Sequence, residues 1–121
     1  MVYRIGSIHY PANDGKGAHL YGGRWNHKGT SVIYAAESRA LAALEVLANA
    51  GELADEYAVT TIEWPDEMTV TVIEPDQLPS GWDVHEPIAA TRDIGPNWAT
   101  SLVTAVLVVP SALIPGSETT F

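Results

Sequence analysis

Residues 22–50 read GGRWNHKGTSVIYAAESRALAALEVLANA and contain a glycine turn, a short apolar strand and a helix in direct succession. Ser38 can cap a helix over Arg39–Asn49, and Gly51 stands where a left-handed residue ends many helices. Within that helix a set of apolar residues recurs at three- and four-residue spacing: Leu41, Leu44, Leu47 and Ala48. We expect this set to share one face of the helix and to pack inward.

Glu45 is the only ionisable residue between Ala40 and Ala50, and it falls beside Leu41 at the edge of the inward face. A surface helix ordinarily carries several charges on its solvent side, so we expect this helix to be covered on most sides. A carboxylate in that setting must be paired, hydrogen-bonded or raised in pKa, because burying a charge alone is costly. Such groups are frequent at functional sites. The alternative is a carboxylate at the rim of the core that meets water or a structural arginine.

Arg24 lies in the turn Gly22–Asn26. The two glycines before it let the backbone approach a ligand closely, and the guanidinium fork matches the geometry of a phosphate or a carboxylate. A solvated hairpin turn, with Trp25 as a plug of the core, is the alternative that the sequence leaves open.

Composition bounds the kind of protein. A chain of 121 residues forms one domain, residues 1–121, and its content of 46% hydrophobic residues is typical of a globular protein. Absence of cysteine excludes disulfides, thiolate metal sites and cysteine nucleophiles. No apolar run is long enough to span a bilayer and the N-terminus lacks a signal pattern, so we expect a cytoplasmic protein without membrane contact.

Charge is distributed unevenly along the chain. Residues 1–39 carry five basic residues against Asp14 and Glu37, a net charge of +3. Residues 40–121 carry Arg92 as their one basic residue against thirteen acidic residues, a net charge of −12. This field opposes docking on a nucleic-acid backbone, which needs several phosphate contacts from Lys and Arg. A small anionic ligand at the basic N-terminal third is compatible with it.

Outside residues 22–50 the pattern is mainly that of strands and short helices. The segments on either side of Pro65 and Asp66 should pair as a hairpin, and the apolar run near the C-terminus should form a central strand. We expect strands over Met1–Tyr10, Thr30–Ala36, Ala58–Trp64, Met68–Ile73 and Thr104–Val109, a short helix or loop over Pro87–Arg92, and a helical piece over Ala99–Leu102.

The histidines and tryptophans allow weaker inferences. His9, His19, His27 and His85 show no HExxH or His-x-His spacing, so a zinc site is not expected. One of the first three with Glu45 would give a ribonuclease-like acid–base pair. Another alternative is a non-catalytic binding module in which Arg24 and Glu45 form a structural ion pair. Three tryptophans follow turn residues and either wall a pocket or plug the core: Trp25, Trp82 and Trp98.

Four sequence blocks in order carry a family resemblance. They read GxGAxxxGGRWNxxGxxVxYAAxSxALAxLE over residues 15–45, LPxxW over 78–82, IGxxW over 94–98 and VPSAxIP over 109–115. This order resembles the RES domain, a family named for its arginine, glutamate and serine. The resemblance implies the toxin half of a bacterial toxin–antitoxin pair, in a hetero-oligomer with an antitoxin that carries an Xre-type helix-turn-helix.

The resemblance also implies a fold and a chemistry. RES domains are similar to ADP-ribosyltransferase toxins, an α+β architecture with a central split sheet and short helices. They consume NAD by breaking the nicotinamide–ribose bond, with water, phosphate or a protein side chain as acceptor, and no metal is required. By this resemblance Arg24, Glu45 and Ser111 are the catalytic residues. NAD would be bound by Arg24 on its diphosphate with help from Lys28, by Tyr34 on the nicotinamide ring, and by Ser111 on the carboxamide or ribose.

Two departures from the family pattern stand out. RES sequences usually continue past VPSAxxP into an Asn-Pro-x-His-Pro segment, whereas this sequence reads Gly116 to Phe121 at that place. The expectation is therefore a short member or a missing tail at the edge of the pocket. Ser101 is the alternative to Ser111 if the register of the last blocks slips.

Overall fold

The computed structural model describes residues 1–8, 13–50 and 56–121, the side chains of residues 49 and 50 excepted. Its strands form one six-stranded sheet in the order β3-β1-β2-β6-β5-β4. The strands are β1 (Val2–Ser7), β2 (Ala35–Ala36), β3 (Tyr57–Ile62), β4 (Thr71–Val72), β5 (Leu107–Pro110) and β6 (Glu118–Thr120). The helices are α1 (Lys16–Tyr21), α2 (Arg39–Ala50), α3 (Ala89–Arg92) and α4 (Ile94–Ser101), with a 3-10 turn at Pro75–Gln77.

Strand β2 joins two halves of this sheet. On one side β1 pairs antiparallel with β3 over six residues, while β1 meets β2 at a single register pair, Tyr3 with Ala36. On the other side β2 pairs with β6, β6 with β5, and β5 runs parallel to β4. A mixed sheet with few short helices confirms the predicted α+β class, and the two-residue link at β2 explains why two cores form.

The larger core lies against β5 and β6. Its buried members are Trp25, Leu107, Val109 and Phe121, with Trp82 and Trp98 packed against them. All four residues of β5 are buried, and the strand has a neighbour on each side, so the interior position predicted for it is confirmed. Trp25 is 3% exposed and belongs to this core, one of the two places that the sequence leaves open for it.

Helix α2 begins as the sequence predicts. The Ser38 Oγ accepts from the Leu41 backbone N–H at 3.1 Å, and the Ser38 carbonyl accepts from Ala42 N–H at 3.0 Å. The helix packs on β1 and β2, where its residues Leu41 and Ala42 form the second core with Ala36 of β2. The position of Gly51 beyond its end lies outside the described residues.

The buried face of α2 differs from the one predicted. Leu41 and Ala42 are buried and Glu45 lies one turn further along that face, but Leu44 is 44% exposed and Leu47 is 42% exposed. The prediction that Leu44, Leu47 and Ala48 pack inward is therefore wrong, and the helix is not covered on most sides. A helix with apolar residues on all sides has more than one face that could pack inward. Here the face with Leu41 and Ala42 packs against the small residue Ala36 of β2.

Several other predicted elements need correction. The segments around Pro65 do not pair as a hairpin, because β3 lies at one edge of the sheet on β1 and β4 at the other edge on β5. The strand predicted over Thr30–Ala36 is reduced to Ala35–Ala36. Helix α4 starts at Ile94 rather than Ala99, with Pro96 in its first turn where a proline costs no hydrogen bond. Helix α1 and strand β6 were not predicted, and the end of the first strand at Tyr10 lies outside the described residues.

Among the helices of the described residues, none combines the length and the apolar character needed to cross a membrane.

Candidate functional site

The Gly22–Asn26 turn presents Arg24 to a cleft. The turn closes by a hydrogen bond from Gly23 N–H to the Asn26 carbonyl at 3.0 Å. A Cβ on Gly23 would lie 2.7 Å from the Tyr34 hydroxyl oxygen, so a glycine is needed at this close approach. Arg24 donates from Nη1 to the Trp82 carbonyl at 2.8 Å and from Nη2 to the His85 carbonyl at 3.3 Å. The turn is therefore built into the protein rather than solvated.

A buried polar network fixes the turn from below. Asn26 is fully buried, and its Nδ2 donates to three carbonyls, those of Ala18, His27 and Thr30. The Tyr34 hydroxyl donates to Asn26 Oδ1 and accepts from the Trp25 N–H at 3.3 Å. Because these buried groups satisfy one another, the turn has one well-defined conformation.

Tyr34 uses its hydroxyl for structure and leaves its ring for the cleft. The ring stands edge-on to Phe121 with centroids 4.2 Å apart. Burial raises the pKa of the Tyr34 hydroxyl far above its ordinary value, and the negative charge of Glu45 adds to that rise, while Arg24 and Arg92 oppose it. The phenol is therefore neutral at physiological pH and is no acid–base group.

Glu45 faces the same cleft from α2. The Ser111 Oγ donates to Glu45 Oε1 at 3.2 Å. Burial raises the pKa of the Glu45 carboxyl, while the hydrogen bond from Ser111 and the attraction of Arg24 work in the opposite direction. A carboxylate with a raised pKa is a stronger base than one in water.

Ser111 is held at the end of β5. It is 4% exposed, and its Oγ accepts from the backbone N–H groups of Leu113 at 3.1 Å and Ile114 at 3.2 Å. These two bonds orient the hydroxyl proton toward Glu45. Ser101, by contrast, is exposed at the end of α4 and donates to the Trp98 carbonyl at 2.7 Å. The structure thus brings Ser111, and not Ser101, to Glu45.

Arg24, Tyr34 and Glu45 line one cavity of about 700 Å³. Its volume falls in the range of roughly 300–1,000 Å³ that small-molecule and cofactor sites occupy. Tyr3 and Ile5 of β1 and the segment of His85, Glu86 and Pro87 supply further walls. Lys28 is exposed and is not among the lining residues, so the structure does not bring it to the other predicted site residues.

A family profile of the RES domain matches residues 1–120. The chain belongs to the RES domain family. Similar proteins include the Prs ADP-ribosylating toxin of Sphingobium sp. (strain YBL2), 43% identical over 112 residues that cover 88% of this chain and 70% of the relative. Toxin Res of Photorhabdus laumondii is 39% identical over 119 residues, 95% of this chain and 76% of the relative.

Solved structures include a similar fold. A chain in the crystal structure of the M. tuberculosis MbcT–MbcA toxin–antitoxin complex superposes with a TM-score of 0.77 at 25% identity. The match covers 98% of this RES domain and 71% of that chain. The relatives are thus toxins by name, and the solved neighbour comes from a toxin–antitoxin complex.

The structure adds a residue that the sequence patterns did not predict for the site. Arg92, at the end of α3, lines the cavity together with Arg24 and Glu45. The available signal was its isolation, since it is the one basic residue of a segment with thirteen acids. No local sequence pattern relates Arg92 to the Gly22–Asn26 turn, because only the tertiary fold brings both to one cavity.

Of the histidines proposed as partners of Glu45, the two in the described residues, His19 and His27, contact other side chains. His27 Nε2 lies 2.6 Å from Asp93 Oδ1, and His19 Nδ1 lies 3.2 Å from the Ser31 Oγ. Of the histidines in the described residues, His85 alone lines the cavity, and His9 lies outside the described residues. In the same part of the chain, no three His, Asp or Glu side chains are grouped as a metal site would require.

Proposed function

We propose that this RES domain is a toxin that consumes NAD by breaking the bond between nicotinamide and ribose. The observation that supports it most is the placement of Glu45 and Arg24 in one cavity of about 700 Å³, with the ring of Tyr34 beside them. The cavity pairs a guanidinium for anionic oxygens with a carboxylate of raised pKa for a developing cation. Similarity to proteins named toxins, one of them an ADP-ribosylating toxin, agrees with this assignment.

The chemistry requires a negative charge near the ribose. When the glycosidic bond breaks, nicotinamide leaves with the bonding electron pair and the ribose C1′ takes on oxocarbenium character. The Glu45 carboxylate stabilises this positive charge and, as a base, accepts the proton of the incoming acceptor. Water, phosphate and a hydroxyl of a protein target can each serve as that acceptor, giving ADP-ribose, its phosphate ester or a modified protein.

The other residues position the substrate. Arg24 has five N–H donors, and two of its nitrogens bind carbonyls of the Trp82–His85 segment, so the guanidinium is pre-oriented before a diphosphate arrives. Tyr34 offers an aromatic ring on which the nicotinamide can stack. Ser111 orients the Glu45 carboxylate through its 3.2 Å hydrogen bond. We assign no contact to Lys28, which lies outside the cavity lining.

We extend the proposal to partners. An antitoxin, of the Xre type implied by the sequence pattern, would hold this toxin inactive in a hetero-oligomer, as expected from the similarity to a chain of a toxin–antitoxin complex. The site of action would be the cytoplasm. The net charge of −9 opposes direct binding of nucleic acid by the toxin itself.

The decisive experiment follows nicotinamide release from NAD by purified protein, with and without phosphate. We expect turnover by the native protein and a loss of about 100-fold or more in Glu45→Gln, because the amide cannot stabilise a cation or accept a proton. Glu63→Gln removes an exposed carboxylate outside the cavity and is the matched control, which should keep native turnover. Arg24→Lys keeps the charge but loses the fork, and should raise KM.

The products identify the acceptor. Phosphate-dependent release indicates phosphorolysis, phosphate-independent ADP-ribose indicates hydrolysis, and transfer of label from adenylate-labelled NAD onto protein indicates ADP-ribosylation. Expression of the native chain, but not of Glu45→Gln, should arrest growth of a bacterial host. Equal nicotinamide release by the native protein and a correctly folded Glu45→Gln would contradict the proposal.

A further inference from the structure

Arg92 lines the cavity from α3. It is the last residue of α3, directly after Thr91, which is fully buried and donates from its Oγ1 to the Ile88 carbonyl at 3.0 Å. The Arg92 backbone N–H donates to the same Ile88 carbonyl at 3.2 Å. Anchoring of α3 at Thr91 therefore fixes the base of the Arg92 side chain at the cavity wall.

The guanidinium of Arg92 has a buried donor that no described residue satisfies. Its Nε is buried and has no hydrogen-bond partner within the described residues. A buried donor without an acceptor costs free energy, and arginine cannot avoid that cost by losing its proton. Such a group persists where a ligand supplies the missing acceptor, and an anionic oxygen is the acceptor that best matches a guanidinium.

Of the charged side chains that line the cavity, Arg24 and Arg92 are basic, and Glu45 and Glu86 are acidic. Asp93, the next residue, is engaged with His27 at 2.6 Å on the outer surface. Arg24 approaches the same cavity from the Gly22–Asn26 turn. The cavity therefore offers two guanidiniums to an anionic ligand, besides the carboxylate of Glu45.

From this arrangement we infer that Arg92 binds the diphosphate of the substrate, forming a cradle of two guanidiniums with Arg24. This inference rests on the proposed function for the identity of the substrate. It gives the site a reason to prefer a dinucleotide over a nicotinamide nucleoside, because a nucleoside lacks the anionic oxygens that Arg92 needs. The diphosphate held by the two guanidiniums would then direct the ribose toward Glu45.

Binding of ADP-ribose and of nicotinamide riboside, measured by calorimetry, tests the inference. We expect Arg92→Gln to weaken ADP-ribose binding by about 10- to 100-fold, the loss of one charge-assisted bidentate contact, and to leave nicotinamide riboside binding unchanged. Arg92→Lys keeps the charge without the guanidinium fork, so its affinity for ADP-ribose should fall between those of the native protein and Arg92→Gln. Lys16→Gln removes an exposed positive charge outside the cavity lining and should bind ADP-ribose as the native protein does.

Kinetics give a second readout. A contact to the diphosphate is the same in ground and transition states, so Arg92→Gln should raise KM for NAD with little change in kcat. Native affinity for ADP-ribose in Arg92→Gln or Arg92→Lys, with thermal melts that show a folded protein, would overturn the inference. An equal loss for ADP-ribose and the riboside would overturn it too, as would a native protein that binds no diphosphate.

The two proposals fail separately. A native protein that binds ADP-ribose through Arg92 but releases no nicotinamide from NAD contradicts the proposed function and leaves the Arg92 assignment standing. Turnover of NAD that is unaffected in both KM and kcat by Arg92→Gln contradicts the Arg92 assignment alone.

Discussion

At the scale of single residues, Glu45 lies where burial disfavours the charged form of its carboxyl group. The carboxyl lies on the inward face of α2, and burial raises its pKa above the ordinary value of 4.5. Its contribution to stability is therefore fully present below that ordinary value and is lost as pH rises through the raised value in the folded protein. Above the raised pKa the ionised Glu45 lowers the free energy of unfolding, a cost that proteins tolerate at functional sites.

This sign predicts the behaviour of Glu45→Gln. We expect the variant to melt a few degrees above the native protein at pH 7, because the amide needs no charge in the low-dielectric cavity and can still accept from Ser111. The difference should shrink as pH falls toward 4 and the native carboxyl takes up its proton. Thermal melts followed by circular dichroism across this pH range measure it. A variant less stable than native by the same margin at both pH values would instead support a structural ion pair with Arg24.

The sequence predicts the site residues that lie in the four family blocks, but it does not predict Arg92. The structure puts Arg24, Tyr34 and Glu45 on one cavity and places Ser111 behind Glu45. Each of these lies in a recognisable local pattern. Arg92 has no such pattern around it, because its role depends on what α3 packs against.

At the scale of elements, the contact of α4 with the Arg24 turn is the feature that most constrains the site. Gly95 N–H donates to the Trp25 carbonyl at 2.7 Å, and a Cβ on Gly95 would lie 2.2 Å from that oxygen. The glycine of the IGxxW block is thus required for close approach of two backbones. The pair of His27 and Asp93 joins the same two elements at the surface.

Paired glycine variants test this contact. We expect Gly95→Ala to lower the free energy of unfolding by about 1–3 kcal/mol or more, because the methyl group pushes α4 away from the turn. Gly17→Ala is the matched change inside α1, where a Cβ meets nothing within 4 Å, and it should raise stability by roughly 0.5–1 kcal/mol through helix propensity. Urea denaturation of the two variants measures both. Native-like stability of Gly95→Ala would contradict the close packing of α4 on the turn.

Elements differ in how well their sequences predict them. The start of α2 was predicted because Ser38 and its hydrogen bonds are local. Its buried face was predicted wrongly, since Leu41, Leu44 and Leu47 satisfy helical spacing equally and only packing on β1 and β2 distinguishes them. The hairpin around Pro65 failed for a related reason, because strand pairing is settled by partners distant in sequence.

At the scale of the whole molecule, the large negative net charge opposes folding. The net charge is −9. At the surface His27 Nε2 contacts Asp93 Oδ1, a pair that is ionic only while the histidine carries a proton. Repulsion among so many acidic side chains opposes the compact state, and salt screens it over distances of about 10 Å at 0.1 M ionic strength.

We therefore expect the melting temperature at pH 7.5 to rise by a few degrees as sodium chloride is raised from about 0.02 M to about 0.5 M. Differential scanning calorimetry at several salt concentrations measures the change. A melting temperature that falls with salt would show that attractive pairs outweigh the repulsion.

By itself, the sequence determined the family, the mixed α+β class, the cap and start of α2, and the identities of Arg24, Tyr34, Glu45 and Ser111 as site candidates. These follow from local propensity and from sequence blocks that can be recognised by their order along the chain. Only the tertiary structure decided the strand order, the inward stripe of α2, the exclusion of Lys28 from the cavity and the arrival of Arg92 beside it. Those features depend on contacts between residues tens of positions apart. The free energies of such contacts cannot be inferred from a local sequence pattern.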